Sequence, residues 1–231
     1  MPDESLRSAS FTGVSIIVPL LNEASAAPEL IEHLGGLNAE QVIIVDGGSS
    51  DATPELMKDA GFDVVQSAPS RSQQMNLGAA NATQSMLLFL HADTKLPANY
   101  KAELANSDVW GRFDVRFDSD SKAMKLIAFF MNWRSRLSSI ATGDQAIFID
   151  RSVFESINGF PAYPIMEDVA FCKRMRQLYR PYNSRLCATT SARRWQQNGV
   201  LNTVLKMWWY RLAFFFGASP FKLKKGYENV R

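Results

Sequence analysis

The 231-residue chain predicts an α/β fold with a mostly parallel, mixed central sheet, and three observations carry that prediction. Short apolar runs at 14–20, 41–45 and 63–66 alternate with segments of helical spacing, the pattern of successive βαβ units. Residues 86–90 are five apolar residues in succession, as a central parallel strand buried on both faces requires. The segment 109–117 instead alternates apolar and polar residues, the period of a half-exposed strand, so a mixed sheet is expected.

Composition bounds the answer. With 46% hydrophobic residues, the chain can bury one large core, so one globular unit is the default. A net charge of +2 creates no strong field, and nucleic acid is not an implied partner. Cys172 and Cys187 lack metal-type spacing and read as reduced thiols. The first residues are polar and acidic where a secretory signal is basic and then apolar, which predicts a cytoplasmic protein.

The elements follow in order. Strand one, 14–20, contains Pro19 near its end, where the backbone is expected to leave the sheet; Asn22 and Glu23 follow it. A helix over 26–34 should close at Gly35 and Gly36. Strand two ends in the loop Asp46, Gly47, Gly48, Ser49, Ser50, Asp51, whose glycines allow a turn that exposes backbone amides. Strand three leads to a helix opening with Arg71, Gln73 and Asn76, either a phosphate-binding N-terminus or a solvated first turn. Strand four delivers His91 and Asp93 to the carboxyl edge, where open α/β sheets bind ligands. There Asp93 either holds a divalent cation on a phosphorylated ligand or caps a helix over 98–106.

Past 109–117, the stretch 121–138 has Met124, Ile127, Ala128, Met131 and Leu137 at helical spacing, with Phe130 and Trp133 broadening a face expected to pack into the core. Gly143, Asp144 and Gln145 precede a strand over 146–149, and a short helix closes at Asn158 and Gly159. The loop 160–166 brings Glu167 and Asp168 to a helix start, where the macrodipole alone favours acids. A strand over 184–190 and a basic, aromatic loop, 192–195, follow. The helix 200–217 puts Val200, Leu201, Val204, Leu205, Trp208, Leu212, Phe215 and Phe216 on one face. Its other side is also apolar, which points to core, a homodimer surface or a peripheral membrane contact on the cytoplasmic face, beside the Lys- and Arg-rich tail 222–231. It is too short and too charged to span a bilayer.

From about residue 14 to 195 the chain resembles a family 2 glycosyltransferase of the GT-A fold, a Rossmann-like three-layer sandwich. The resemblance rests on Pro19, Asn22 and Glu23; Asp46 with Ser49 and Asp51; the Asp93 strand end; Glu167 with Asp168; and Arg193, Arg194 and Trp195, in that order. It implies a transferase unit over 12–196, with a nucleotide-sugar half (12–94) and an acceptor half (95–196), followed by the appended segment 197–231. It further implies that Asp46 bonds the nucleobase and Glu23 the ribose side, with Pro19, Asn22, Ser49, Arg71 and Asn76 lining the nucleotide pocket. Asp144, Arg194 and Trp195 fall on the acceptor and diphosphate side. Asp93 matches the second aspartate of the family's metal motif, and His91 stands where the first belongs. An imidazole suits manganese better than magnesium and adds no charge, so His91 is the chain's main departure from the family's divalent-metal motif.

The wording LHADT, GDQAIF and PIMEDVAFCKR resembles a smaller bacterial subfamily found beside arsenosugar- or selenium-linked genes. The activity implied is inverting transfer of a hexosyl-type sugar from a nucleotide donor to an unknown acceptor. Asp168 is the implied general base, with Glu167 beside it. The competing expectations are a non-catalytic nucleotide-sugar-binding or membrane-associated scaffold with a decayed metal site, and a nucleotidyltransferase. The latter lacks its glycine-rich, arginine-bearing loop between Ile16 and Ala26.

Overall fold

A computed structural model describes residues 11–193, 195 and 199–227. The strands β1 (Val14–Leu20), β2 (Gln41–Asp46), β3 (Asp63–Gln66) and β4 (Met86–Phe89) match the predicted apolar runs to within a residue. They pair in parallel in the spatial order β3-β2-β1-β4. The two-residue β5 (Thr94–Lys95), β6 (Trp110–Phe117), β7 (Phe148–Asp150) and β8 (Tyr182–Thr190) extend the sheet as β4-β7-β6-β8-β5. β7 is antiparallel to both its neighbours and β8 is parallel to β6, so the sheet is mixed, as the alternating segment predicted.

Side chains alternate across each strand, and the two faces carry separate cores. Ile16, Val18 and Leu88 pack with Leu30 and Leu34 of α1 (Ala27–Gly36), Met57 of α2 (Thr53–Asp59) and Leu104 of α4 (Tyr100–Ala105). Ile17, Ile43 and Leu87 pack on the opposite face with Met75 of α3 (Arg71–Ala80), Phe154 of α6 (Arg151–Ser156) and Phe171 of α7 (Glu167–Leu178). Each such side chain contributes about 1.5–3 kcal/mol on burial, and helices are held to both faces in a three-layer sandwich. Gly78 brings α3 close: a Cβ there would lie 2.4 Å from Ile17 Cγ2. The N-terminus of α3 is thereby held at the carboxyl edge of β1 and β2.

Several local expectations are corrected. Pro19 does not end β1; it pairs opposite Val45, and the strand continues to Leu20. Because Ile17 O accepts from Leu90 N, residues of that parity face β4, whose ladder stops there, so the missing donor of Pro19 interrupts nothing. α1 runs through Gly35 and Gly36, and Asn38 supplies the left-handed residue after it. Asp93 caps no helix, since β5 intervenes and α4 is preceded by Asn99.

β6 is buried along its length except at Arg116, not half-exposed. α5 (Lys122–Ser138) covers its polar face: Asn132 accepts from Val115 N at 2.8 Å and donates to Val115 O at 2.9 Å. Asp114 there binds both Arg112 and Arg136. α5 in turn buries Met124 and Ala128 but leaves Phe130, Trp133 and Leu137 exposed, against the expected core face. Among the described residues the C-terminal segment forms two helices, α8 (Val200–Phe215) and α9 (Pro220–Tyr227), the second within the stretch expected as a basic tail. No helix among the described residues is long and apolar enough to cross a membrane.

Candidate active site

Three strand ends and two turns build the site. Gln74 of α3, buried, donates from Nε2 to Leu20 O and Val45 O, both at 2.8 Å, and so caps β1 and β2 where their ladder stops. The loops beyond are stitched together. Asn22, in a left-handed conformation, accepts from Ser50 N at 2.8 Å and donates its own N–H to Ser49 Oγ at 2.8 Å. Glu23 N donates to Thr53 Oγ1, and Ala24 N to Asp51 Oδ2. These bonds set a rigid rim at the carboxyl edge of the sheet.

Beside this rim a cavity is lined by Arg71, His91, Gly143, Asp144, Glu167 and Asp168. His91, buried past β4, places Nε2 3.2 Å from an Arg71 nitrogen and Nδ1 3.2 Å from Asp144 Oδ1. A guanidinium only donates, so Nε2 accepts and Nδ1–H donates to Asp144. Burial, and next the Arg71 charge, push the His91 pKa below its ordinary value, against the pull of Asp144. Ligand atoms of His91, Asp93 and Asp144 all lie within 4.8 Å of one another. Gly143 makes this packing possible, because a Cβ there would stand 1.9 Å from His91 Nε2.

The acidic pair enters from the opposite wall. Phe160 anchors its loop, edge-on to Phe89 and tilted against Phe171 at centroid distances of 4.8 and 4.6 Å, and Asn76 binds its backbone N–H and C=O at 2.9 Å each. Met166 then takes a left-handed conformation (φ 64°) directly before Glu167, a strained turn that starts α7 at the cavity. Asp168 accepts from Gly143 N at 3.0 Å and Val169 N at 2.7 Å. Burial, and then the adjacent Glu167 charge, raise its pKa to about 7. Arg134 of α5 feels the Asp168 charge electrostatically. A carboxylate poised near neutrality beside a cluster of one imidazole and two carboxylates suits proton transfer at a metal- or phosphate-bearing ligand.

A model of glycosyl transferase family 2 matches residues 15–153. The chain belongs to this family. Over 82 residues it is 34% identical to glycosyltransferase AglJ of Haloferax volcanii, a match covering 35% of this chain and 27% of that protein. The fold is similar to that of the Pyrobaculum calidifontis mannosyltransferase PcManGT in complex with GDP-Man and Mn2+. The TM-score is 0.60 at 20% identity, over 82% of this chain and 58% of that one. Glucosyl-3-phosphoglycerate synthase of Mycobacterium tuberculosis, in complex with Mn2+, UDP and glucosyl-3-phosphoglycerate, matches at 0.58 and 15% identity, over 77% and 70%. TarS of S. aureus in complex with UDP-GlcNAc matches at 0.60 and 15%, over 78% and 58%. The sheet and its helical layers are those of GT-A glycosyltransferases. The chain spans about a quarter of the AglJ length and under two thirds of the PcManGT chain.

Within this family frame the expected site residues separate. Arg71, His91, Asp144, Glu167 and Asp168 line one cavity, with Asp93 in reach of His91 and Asp144. Asp46 is fully buried and accepts from Gly48 N, Ser49 N and Ser49 Oγ, folding its own loop. Pro19 is buried in β1. Both ends of the Asn76 amide hold Phe160. Trp195 packs edge-on against Phe117, 5.6 Å away, in the cluster under α5, and Arg194 lies outside the described residues. Sequence reasoning gave no role to Gln74, Gly143, Arg134, Met207 or Arg211, the last two being cavity-lining residues from α8. A polar residue inside an otherwise small or apolar helix face was the available signal for Gln74 and Arg134.

Proposed function

We propose that this protein transfers a glycosyl group from a nucleoside-diphosphate sugar to an acceptor hydroxyl, inverting the anomeric centre, with Asp168 as the general base. The observation that carries this reading is the meeting of Asp168 with His91 and Asp144 in one cavity at the carboxyl edge of the sheet, with Asp93 within reach of the latter two. The acceptor oxygen gives its proton to Asp168 as it bonds to the anomeric carbon, and the bond from that carbon to the diphosphate oxygen breaks. A carboxyl with a pKa near 7 is matched to this task at neutral pH. Glu167 holds the neighbouring wall, and Arg71 offers charge to the departing diphosphate.

The donor set of one imidazole and two carboxylates within 4.8 Å fits a divalent cation, and suits manganese better than magnesium. Once bound, such an ion neutralises charge on the diphosphate leaving group. Asp93 and Asp144 would hold it, with His91 joining once a ring nitrogen is released from Arg71 or Asp144. The Mn2+ and nucleotides in the Pyrobaculum and Mycobacterium structures support the same donor class here. The rim of Asn22, Glu23 and Ser49 is proposed as the nucleoside side. Residues 12–196 form the transferase unit in this reading. Calorimetric titration with UDP, GDP, CDP and dTDP, with and without manganese or magnesium, tests it. Metal-dependent micromolar binding of one nucleotide is expected; absence of binding under every condition overturns the reading.

A further inference from the structure

The face of α8 turned to solvent is the apolar one. Leu205, Trp208, Trp209, Leu212 and Phe216 recur at helical spacing and are 53–78% exposed, with Phe215 and then Phe221 of α9 extending the stripe. The side turned inward is mixed: Thr203 is buried, Phe214 meets Tyr163 at 6.3 Å, and Met207 and Arg211 line the cavity that holds Asp168. A helix serving the core would have the reverse arrangement. Between Gly199 and Gly226 stand Lys206, Arg211, Lys222, Lys224 and Lys225, and no aspartate or glutamate. An outward stripe of Trp, Phe and Leu flanked by cations alone is complementary to an anionic bilayer surface. At 16 residues α8 is about 24 Å long, short of a bilayer core, so it lies along the surface.

The same helix forms a wall of the active site. Arg211 lines the cavity and buries its Nε with no hydrogen-bond partner among the described residues, a donor available to an incoming polar group. Tyr163, in the loop leading to Glu167 and Asp168, touches both Phe214 and Phe221. Surface and cavity therefore share one element. We propose that the α8 and α9 face seats the protein on an anionic lipid surface, and that the acceptor is a membrane-borne amphiphile whose polar head enters past Met207 and Arg211. This rests on the transferase reading above.

Two measurements on the full chain test it. The first is co-sedimentation with vesicles of phosphatidylcholine and phosphatidylglycerol, against phosphatidylcholine alone. Binding to the mixed vesicles that weakens with salt is expected. Lys222→Gln with Lys225→Gln should weaken it about 30-fold, the attraction lost with two cations near an anionic surface. Trp208→Ser with Phe216→Ser, both at exposed positions, should abolish it while nucleotide affinity stays unchanged. No vesicle binding by protein that still binds nucleotide overturns the inference and leaves the transferase reading standing. The same result follows if the aromatic variant instead loses a concentration-dependent dimer, which would give the face to a second copy. The second measurement incubates radiolabelled donor with the membrane and soluble fractions of the source cells. Label in a butanol-extractable product from membranes is expected. Label only in a water-soluble product overturns the acceptor assignment, and failure of every nucleotide to bind overturns the transferase reading itself.

Discussion

Asp168→Asn separates the cost of holding this carboxylate from its use. Its pKa stands at about 7 against an ordinary 3.8, a rise of about 3 units. At 1.36 kcal/mol per unit that is a ceiling of ~4 kcal/mol, and residual water at the half-buried side chain brings the expectation to about 2 kcal/mol. The sign follows from proton linkage. The folded protein binds this proton more tightly than the unfolded chain, so the group lowers stability progressively between about pH 4 and pH 7, and fully above. Asparagine is neutral throughout and keeps an oxygen for Gly143 N. The metal-free variant should therefore unfold about 4–8 °C higher than the parent near pH 8, with the gap closing near pH 4. Its turnover should fall about 10²–10⁴-fold, while the parent gains activity as pH rises through about 7. Thermal unfolding at the two pH values and nucleoside-diphosphate release together decide. A gap in melting temperature that does not change with pH, or retained turnover, refutes the reasoning.

Gly143→Ala should drive His91 off its place, since the new methyl would stand 1.9 Å from Nε2, and break its contacts with Arg71 and Asp144. Manganese and nucleotide affinity, read by calorimetry, should drop about 10–100-fold; unchanged affinity would remove His91 from the site. Asp114→Asn should leave Arg112, 1% exposed, as an uncompensated buried cation and cost about 3–5 kcal/mol in urea unfolding. Adding Arg112→Met should restore most of the loss, and failure to do so would mean that Asp114 acts mainly through Arg136.

Much of the fold was legible because burial on both faces demands a continuous apolar run. β1, β2 and β4 are built mostly of Val, Ile, Leu, Met and Phe, and their buried stretches carry that pattern in the sequence. Their carboxyl ends then named His91 and Asp93, and the acids at the start of α7 named Glu167 and Asp168. The pairing of His91 with Asp144, 53 residues on, left no local trace. Asp46 and Asn76 show the converse. Their types and places in the chain suggested a ligand pocket; in the fold the oxygens of one close a turn and the amide of the other holds Phe160.

Periodicity determined by itself which residues share a face; tertiary packing decided what that face meets. The alternation in β6 read as a wet side, and α5 covers it with Asn132 and Arg136. The apolar stripe of α8 read equally as core, interface or membrane surface, and packing turned it outward while Met207 and Arg211 face the active-site cavity. For Leu201, whose side chain lies outside the described residues, the sequence reading stands alone. The reason is physical. A hydrogen-bonded helix or strand is set by neighbours a few residues away, but the partner that covers it comes from anywhere in the chain, and only the folded arrangement brings the two together.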